Sequence, residues 1–295
     1  MTTRRLLTGI IGLFIATEFF GCADHQGQTI IPGINRLRVK SITQITGTPS
    51  VSTVSAFSYD EQGRLSSISA YRSPDSAAAA VENTVYQYDS QSRLTQVRHA
   101  VVRRGSNAET YTLVYNSANQ LVQLTNSVST FSVTPQYNSV NQVTGYGKSI
   151  SVSGLSSGGN GTFTYTGNNV TTTSETFSVF RTGGSPTAPP VYTQPITTTY
   201  TYEDKVNPFY GVFIIPAPGV FHAYAGFGIF GPYYTLYGGI DNPNNLSKNN
   251  VLSAVMASGT TTYGYTYNSA NLPTSRITST ATGVSEILRY EYELY

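Results

Sequence analysis

Apolar and polar residues alternate along many short stretches of this chain. Tyr263, Tyr265 and Tyr267 alternate with Thr262, Gly264 and Thr266. Leu288, Tyr290, Tyr292 and Leu294 alternate with Arg289, Glu291 and Glu293. A period of two is the signature of a strand with one buried face. One face is aromatic and aliphatic; the other carries Thr, Ser or charge. Few stretches show helical periodicity, so the chain reads as nearly all β.

The strands recur as copies of one unit. Aligned on a single tyrosine, the copies centre on Tyr59, Tyr88, Tyr115, Tyr137, Tyr165, Tyr202, Tyr267 and Tyr292, the first five separated by 29, 27, 22 and 28 residues. An apolar or aromatic residue often sits two before the tyrosine and shares its face. A four-residue turn follows, as in Asp60-Glu61-Gln62-Gly63, Asn116-Ser117-Ala118-Asn119 and Asn138-Ser139-Val140-Asn141. Its first residue bonds its own backbone two residues on, and its last tolerates positive φ. That is the chemistry of a type I turn closed by a left-handed residue, a common hairpin end. The chain then resumes with a polar residue and Leu or Val: Arg64-Leu65, Arg93-Leu94, Gln120-Leu121, Gln142-Val143. A repeat of this kind decides the architecture first. The expectation is one all-antiparallel domain of repeated hairpins, with more than ten strands in a meander that is strongly curled or barrel-like. Each tyrosine unit is expected to supply a hairpin.

Residues 59–65, YDEQGRL, closely match the Tyr-Asp-x-x-Gly-Arg-Leu core of the YD repeat. The chain therefore resembles RHS and teneurin-like proteins, with the other copies degenerate. RHS proteins use many more repeats to build a closed shell, and this chain has too few for that.

The composition supports the strand reading. There are 23 Tyr and no Trp, and Tyr, Thr and Val favour strands. A formal net charge of +2 and, beyond residue 21, Arg103-Arg104 as the only basic pair argue against a nucleic-acid partner, which would need clustered Lys and Arg.

The N-terminus reads as an address. Arg4 and Arg5 precede an apolar run from Leu6 to Thr17, which fits the h-region of a signal peptide. It is short for a membrane span, which needs about 20 residues. The run leads into Phe19-Phe20-Gly21-Cys22. This resembles the lipobox of bacterial lipoproteins and implies lipidation at Cys22, the only cysteine. The expected organisation is a signal peptide over 1–21, a tether over 22–35 and a β domain over 36–295. The partner so implied is a membrane, reached through the lipid, and the location is the outer membrane, facing the periplasm or the cell surface. Together with this lipobox, Asn207-Pro208-Phe209 and Ser247, Asn249, Asn250 and Val251 make the chain similar to Bacteroidetes lipoproteins described as having a porin-like fold. That resemblance implies fold and location and brings no activity. A transmembrane barrel would also alternate, but its aromatics gather at two rims. Here the apolar face is tyrosine-rich along its length, so that face is expected to point inward in water.

One stretch breaks the repeat. Residues 206–246 carry Phe213, Phe221, Tyr224, Phe227, Phe230, Tyr233, Tyr234 and Tyr237, interrupted by Pro216, Pro218 and Pro232. So much exposed apolar surface is a liability or a binding site. The segment is expected to pack as a plug on the apolar face; the alternative is a ligand platform built from those eight aromatics.

Chemistry-bearing residues do not converge. His25, His99 and His222 lack partners at ligand or triad spacing, and His99, ending a strand, is expected to be exposed. Asp60 and Asp89 are explained by turns. Asp241 to Asn245 offers oxygens to a cation, but such turns are common without one. Gly158-Gly159-Asn160-Gly161 lacks the strand-to-helix setting of a phosphate loop. Ser76, in Asp75-Ser76-Ala77, resembles the O-glycosylation site of Bacteroidetes proteins. No metal, cofactor or catalytic set is expected. The reading is an envelope lipoprotein of structural or binding role, not an enzyme; the alternative is a glycan- or cell-wall-binding surface protein, or one that binds another envelope protein.

Overall fold

The computed structural model describes residues 37–46, 52–73, 81–101, 108–127, 130–152, 155–181, 191–192, 194–211, 215–216, 235–237 and 243–295. In chain order the strands begin with β1 (Leu37–Ile45), β2 (Ser52–Tyr59), β3 (Leu65–Ser73), β4 (Glu82–Tyr88), β5 (Leu94–Val101) and β6 (Glu109–Tyr115). They continue with β7 (Leu121–Asn126), β8 (Ser132–Tyr137), β9 (Val143–Val152), β10 (Leu155–Thr166), β11 (Asn169–Arg181), β12 (Val191–Tyr192) and β13 (Ile196–Val206). Two short strands, β14 (Ile215–Pro216) and β15 (Thr235–Tyr237), pair with each other inside the insertion. One helical turn, α1 (Pro243–Leu246), precedes β16 (Asn249–Met256), β17 (Gly259–Tyr267), β18 (Pro273–Thr280) and β19 (Gly283–Leu294).

Among the described residues every strand pairing is antiparallel, and β1 pairs with both β2 and β19. The meander therefore closes on itself as a barrel of 16 strands, β1–β11, β13 and β16–β19, with β12 a stub beside β11. Closure removes the free edges that a meander would otherwise expose. The seam joining the chain's two ends is fastened on both sides of the wall. Arg38 Nε lies 2.7 Å from Glu293 Oε1, and Ser41 Oγ donates to Glu291 at 3.0 Å. On the inner side, Arg276 meets Glu286 at 2.6 Å and Gln44 donates to the same carboxylate at 2.8 Å.

The turn chemistry is as the sequence implies. Gly63, Ser92, Asn119, Asn141 and Asn271 all have φ between 59° and 77°, and each donates its N–H to the first residue of its turn. The carboxylate of Asp60 accepts from the N–H groups of Gln62 (3.0 Å) and Arg64 (2.8 Å). Asp89, Asn116, Asn138 and Asn268 do the same in their turns. Six tyrosine units supply hairpins, not eight. After Tyr202 the fourth position is Val206, a β-branched residue for which the left-handed conformation is costly. There β13 runs on to Val206 and the insertion begins. Tyr292 instead lies on the strand that closes the barrel.

The Tyr and Leu face points inward. Val39, Ile42, Phe57, Ile68, Tyr86, Val97, Leu113, Leu124, Val133, Tyr146, Val170, Leu288 and Tyr290 belong to one buried cluster. The outer wall is polar: Asn83, Gln87, Arg98, Thr112, Gln123, Thr134, Gln136, Thr162, Thr164, Thr197, Thr199 and Thr201 are exposed there. The exposed apolar residues Val85, Val114, Val255 and Ile277 are scattered among them. A lipid-facing barrel carries a continuous apolar band outside; the described outer-face residues form no such band. Among the described residues no helix is long and apolar enough to cross a membrane.

Candidate functional site

All the tyrosine turns lie at one end of the barrel, with the start of β1 and the end of β19. This turn rim explains why each unit needs a tyrosine. Between one hairpin and the next, the main-chain ladder stops short of the rim. The β3–β4 ladder ends at Ser67 and Val85, two residues before Leu65. There the phenol of Tyr88 donates to the Leu65 carbonyl at 2.8 Å. The same substitute rung joins Tyr59 to Val39 (2.6 Å), Tyr115 to Leu94 (2.9 Å), Tyr137 to Leu121 (2.9 Å), Tyr165 to Val143 (2.8 Å) and Tyr292 to Pro273 (2.8 Å). Tyr202 reaches the Val170 carbonyl in the same way. Tyr267 differs and accepts from the Asn250 amide at 3.2 Å. Burial pushes the Tyr88 phenol up to about 12, so it remains a donor at neutral pH.

A second layer of contacts links turn to turn. Arg64 pairs with Asp60 in its own turn at 2.7 Å, packs over the Tyr88 ring at 4.5 Å and donates to Ser92 at 3.2 Å. Arg93 repeats this with Asp89 (2.7 Å), Tyr115 (5.0 Å) and Asn119 (3.0 Å). Burial tends to raise the Asp89 carboxyl, but N–H donors from Arg93 and Gln91 and the Arg93 charge outweigh it and hold it low. In the next units an amide pair replaces the ion pair. Asn116 donates to Gln120 at 2.9 Å and Asn138 to Gln142 at 3.0 Å. Gln120 then reaches Asn141 at 2.7 Å, and Gln142 the Gly167 carbonyl at 3.0 Å. Arg38 lies over both Tyr59 (4.1 Å) and Tyr295 (5.0 Å), which brings the chain's last residue against the first turn.

The neck of the insertion is fixed at this rim. Asn207-Pro208-Phe209 and Ser247 to Val251, far apart in sequence, come together. The Asn207 amide donates to the carbonyls of Asn244 and Ser247, and Gly211 N–H to the Asn245 carbonyl at 2.7 Å. Asn249 and Asn169 exchange hydrogen bonds at 2.9 and 3.0 Å, tying the neck to the β10–β11 turn. Phe209, only 2% exposed, enters the barrel. Its ring centroid lies 6.5 Å from that of Phe57 and 6.3 Å from that of Tyr290. Of the aromatics read as a platform, Phe213, Phe221, Tyr224, Phe227, Phe230, Tyr233 and Tyr234 lie outside the described residues. Tyr237 falls in β15. Cys22 and Ser76 also lie outside them, as do His25 and His222. The Gly158 to Gly161 run is the middle of β10, and its inner-face glycines have packing reasons: a Cβ at Gly161 would lie 2.2 Å from the Tyr146 ring.

Away from the rim the inner wall turns polar, and here one expectation fails. His99 is not exposed but 3% accessible, between Glu82 (7%) and Glu109 (5%). It is cross-strand neighbour to Thr84 and Glu109, which puts it on the inner face. Its Nδ1 lies 2.6 Å from the Thr84 hydroxyl and its Nε2 3.6 Å from Glu82, while Tyr111 donates to Glu109 at 2.7 Å. Burial holds the imidazole down to about 4. The Glu82 contact is therefore, at neutral pH, a neutral ring beside a carboxyl group rather than an ion pair. The sequence did carry a signal: His99 lies two residues from Val97 and so shares its face. Among the described residues no group of three or more His, Cys, Asp or Glu is placed to hold a metal ion.

Comparison with known proteins agrees with the repeat. The teneurin YD-shell family matches residues 29–154, less than half the chain. No curated protein matches. Among solved structures, the chain is similar to a porin-like protein from Bacteroides uniformis ATCC 8492, with 13% identity and a TM-score of 0.40, covering 86% of this chain and 98% of that one. It is also similar to a porin-like protein from Bacteroides vulgatus ATCC 8482, with 11% identity and a TM-score of 0.38, covering 88% and 99%. The chain is a closed β-barrel of YD-repeat character.

Proposed function

We propose that this chain is an outer-membrane lipoprotein whose barrel stands in water and plays a structural rather than catalytic role. The observation that carries the reading is the polar outer wall. A barrel clad in Thr, Gln and Asn gains nothing by entering lipid, where such groups are costly. If the protein is held at a membrane, the hold comes from elsewhere in the chain. The lipid on Cys22, placed directly after the basic start and apolar run of the signal peptide, supplies it, and a lipid anchor needs no apolar barrel surface to act. On this reading the turn rim, where β1 starts, faces the anchoring membrane, on the periplasmic or the cell-surface side. The rungs and turn contacts suit a stiff body at the end of a tether. Phe209, entering the lumen instead of facing outward, is why we rank this role above a glycan- or cell-wall-binding platform on the insertion.

The test is Cys22→Ser in the producing cell, followed by fractionation. The variant is expected to leave the outer-membrane fraction and appear in soluble form with its barrel intact. Retention in that fraction would overturn the anchor.

A further inference from the structure

We infer that a depression in the outer wall, midway along β8, β9, β10 and β11, is a binding site for a neutral saccharide. The site goes beyond the structural role and uses none of the insertion's aromatics. Its volume is about 420 Å³, inside the range of small-ligand sites. Cross-strand register sets its outward-facing residues in two rows. One is Ser132, Ser149, Gly158 and Ser178; the next is Thr134, Gly147, Asn160 and Thr176. Each row holds one glycine, and nothing in the fold asks for it. Neither Gly147 nor Gly158 has positive φ, and no bulge falls at either. A Cβ at Gly147 would lie 3.5 Å from its nearest neighbour, Asn160 Oδ1, and one at Gly158 3.6 Å from the Lys148 carbonyl, both ordinary contacts. The inner-face Gly159 and Gly161 differ, since a Cβ there would lie 2.5 Å and 2.2 Å from the rings of Phe177 and Tyr146. Glycine weakens a strand interior, and one with no packing reason marks a place where something approaches the backbone closely.

The hydrogen bonds agree. Elsewhere on the outer wall neighbouring strands pair their hydroxyls, Thr201 with Ser253 at 2.6 Å and Thr266 with Ser275 at 2.7 Å. In the depression the glycines interrupt the rows. Thr134, Ser149, Asn160 and Thr176 make no side-chain hydrogen bond among the described residues. Ser178 is only 9% exposed, yet its hydroxyl has one contact, the Gly158 carbonyl at 3.4 Å, longer than a normal O–H···O hydrogen bond. A polar group so buried is ordinarily paired, and a ligand hydroxyl in the depression would complete it. The lining also sets the ligand's chemistry. Lys148 turns the other way, its ammonium 5.4 Å from the centroid of the inner-face Tyr146 ring, so an anion finds no cation among the described lining residues. The four strands are already laddered to one another, so an added peptide strand has no rung to join. Hydroxyls and an amide both donate and accept, which is the chemistry that matches the hydroxyls of an uncharged sugar.

The test uses the full chain and three neutral trisaccharides, maltotriose, cellotriose and triacetylchitotriose, with trigalacturonic acid as the charged comparison, read by saturation-transfer NMR. At least one neutral sugar is expected to bind, and more tightly than the acid. Gly147→Thr and Gly158→Thr fill the floor of the depression. Each is expected to keep or raise the melting temperature while weakening binding at least tenfold, a combination that a merely structural role of the glycines does not give. Gly264→Thr, at an outer-face glycine outside the depression with nothing within 4 Å of its Cβ, should leave binding unchanged. Ser178→Ala adds no bulk and serves as the second variant should filling the floor disturb the fold; it is expected to weaken binding severalfold at unchanged stability. Absence of transfer from all three neutral sugars, or tighter binding of the acid, would overturn the inference. So would parental binding by Gly158→Thr or by Ser178→Ala, which would place the sugar elsewhere on the chain. None of these outcomes bears on the fractionation of Cys22→Ser, so the site and the anchor stand or fall separately.

Discussion

Tyr88→Phe isolates the substitute rung. The change keeps the ring, its inner-face packing and the Arg64 guanidinium 4.5 Å above it. It deletes one hydroxyl, which donates to the Leu65 carbonyl at 2.8 Å. That carbonyl lies beyond the last β3–β4 ladder pair and is half-buried, so water replaces the donor only in part. A typical internal hydrogen bond contributes about 0.5–1.5 kcal/mol net, and leaving a buried acceptor unpaired costs about 1–3 kcal/mol. Partial access to water puts the expected loss at about 1–2 kcal/mol, between those cases. Urea unfolding should show a lower midpoint with an unchanged slope, since little surface is altered. Tyr71→Phe, on the outer face of β3, is the control and should stay within about 0.5 kcal/mol of the parent. Tyr88→Phe and Tyr137→Phe act at different junctions, so their losses should add. The phenol's raised pKa gives a further check. Its folded value of about 12 exceeds the unfolded value of about 10. The stability it contributes is complete below pH 10 and lost as pH climbs toward 12, and Tyr88→Phe should weaken that alkaline loss. A Tyr88→Phe midpoint indistinguishable from that of Tyr71→Phe would refute the rung.

Gly161→Ala should destabilise by about 1–3 kcal/mol or more through overpacking, since its Cβ would sit 2.2 Å from the buried Tyr146 ring. Gly264→Ala, with nothing within 4 Å of the new Cβ, should be neutral or slightly stabilising in the same thermal melt. His99 should make the barrel acid-sensitive. Its folded value of about 4 lies below the unfolded value of about 6.5. Falling pH therefore protonates the unfolded chain first, and stability drops between pH 6.5 and 4 by at most about 3 kcal/mol. His99→Gln should flatten that part of the profile of urea midpoint against pH, and an unchanged slope would show that the imidazole is not held neutral.

What could be read in the sequence is what is local. A turn needs an oxygen at its first position and a residue that tolerates positive φ at its fourth, and both are written in consecutive letters. Period two placed Tyr263, Leu288 and Tyr290 on one face and Thr262, Arg289 and Glu291 on the other. Closure was not legible, because it depends on β1 meeting β19: the Arg38–Glu293 pair spans 255 residues, and no local pattern encodes a partner that distant. The inner charges were missed for a different reason. Parity gave His99 its face, but exposure was inferred from its place at a strand end, and no spacing in the chain pairs it with Glu82 and Glu109. Those three meet through the registers of β4, β5 and β6. Cys22 and seven of the eight platform aromatics lie outside the described residues, so only the sequence bears on them.

The drift from Asp-Arg to Asn-Gln along the repeat shows what the unit preserves. Asp60 and Asp89 pair with Arg64 and Arg93, while Asn116 and Asn138 pair with Gln120 and Gln142, at distances of 2.7 to 3.0 Å throughout. Half-exposed ion pairs contribute little through charge alone, about 0–1 kcal/mol, so losing the charge costs little. The short oxygen at the first position is kept in all four, because it accepts two main-chain N–H groups that the turn leaves without ladder partners. The long side chain at the fifth position is kept because it reaches the left-handed residue of the next turn. Selection on those two geometric demands, rather than on charge, yields copies that look degenerate by letter and nearly superimposable by contact. The same reasoning explains the tyrosine in the seven units whose phenol donates to a carbonyl of the neighbouring strand. A rung that replaces a missing ladder bond needs a rigid arm with a donor at its tip, and of the twenty side chains tyrosine alone joins a flat apolar ring to a hydroxyl at that reach.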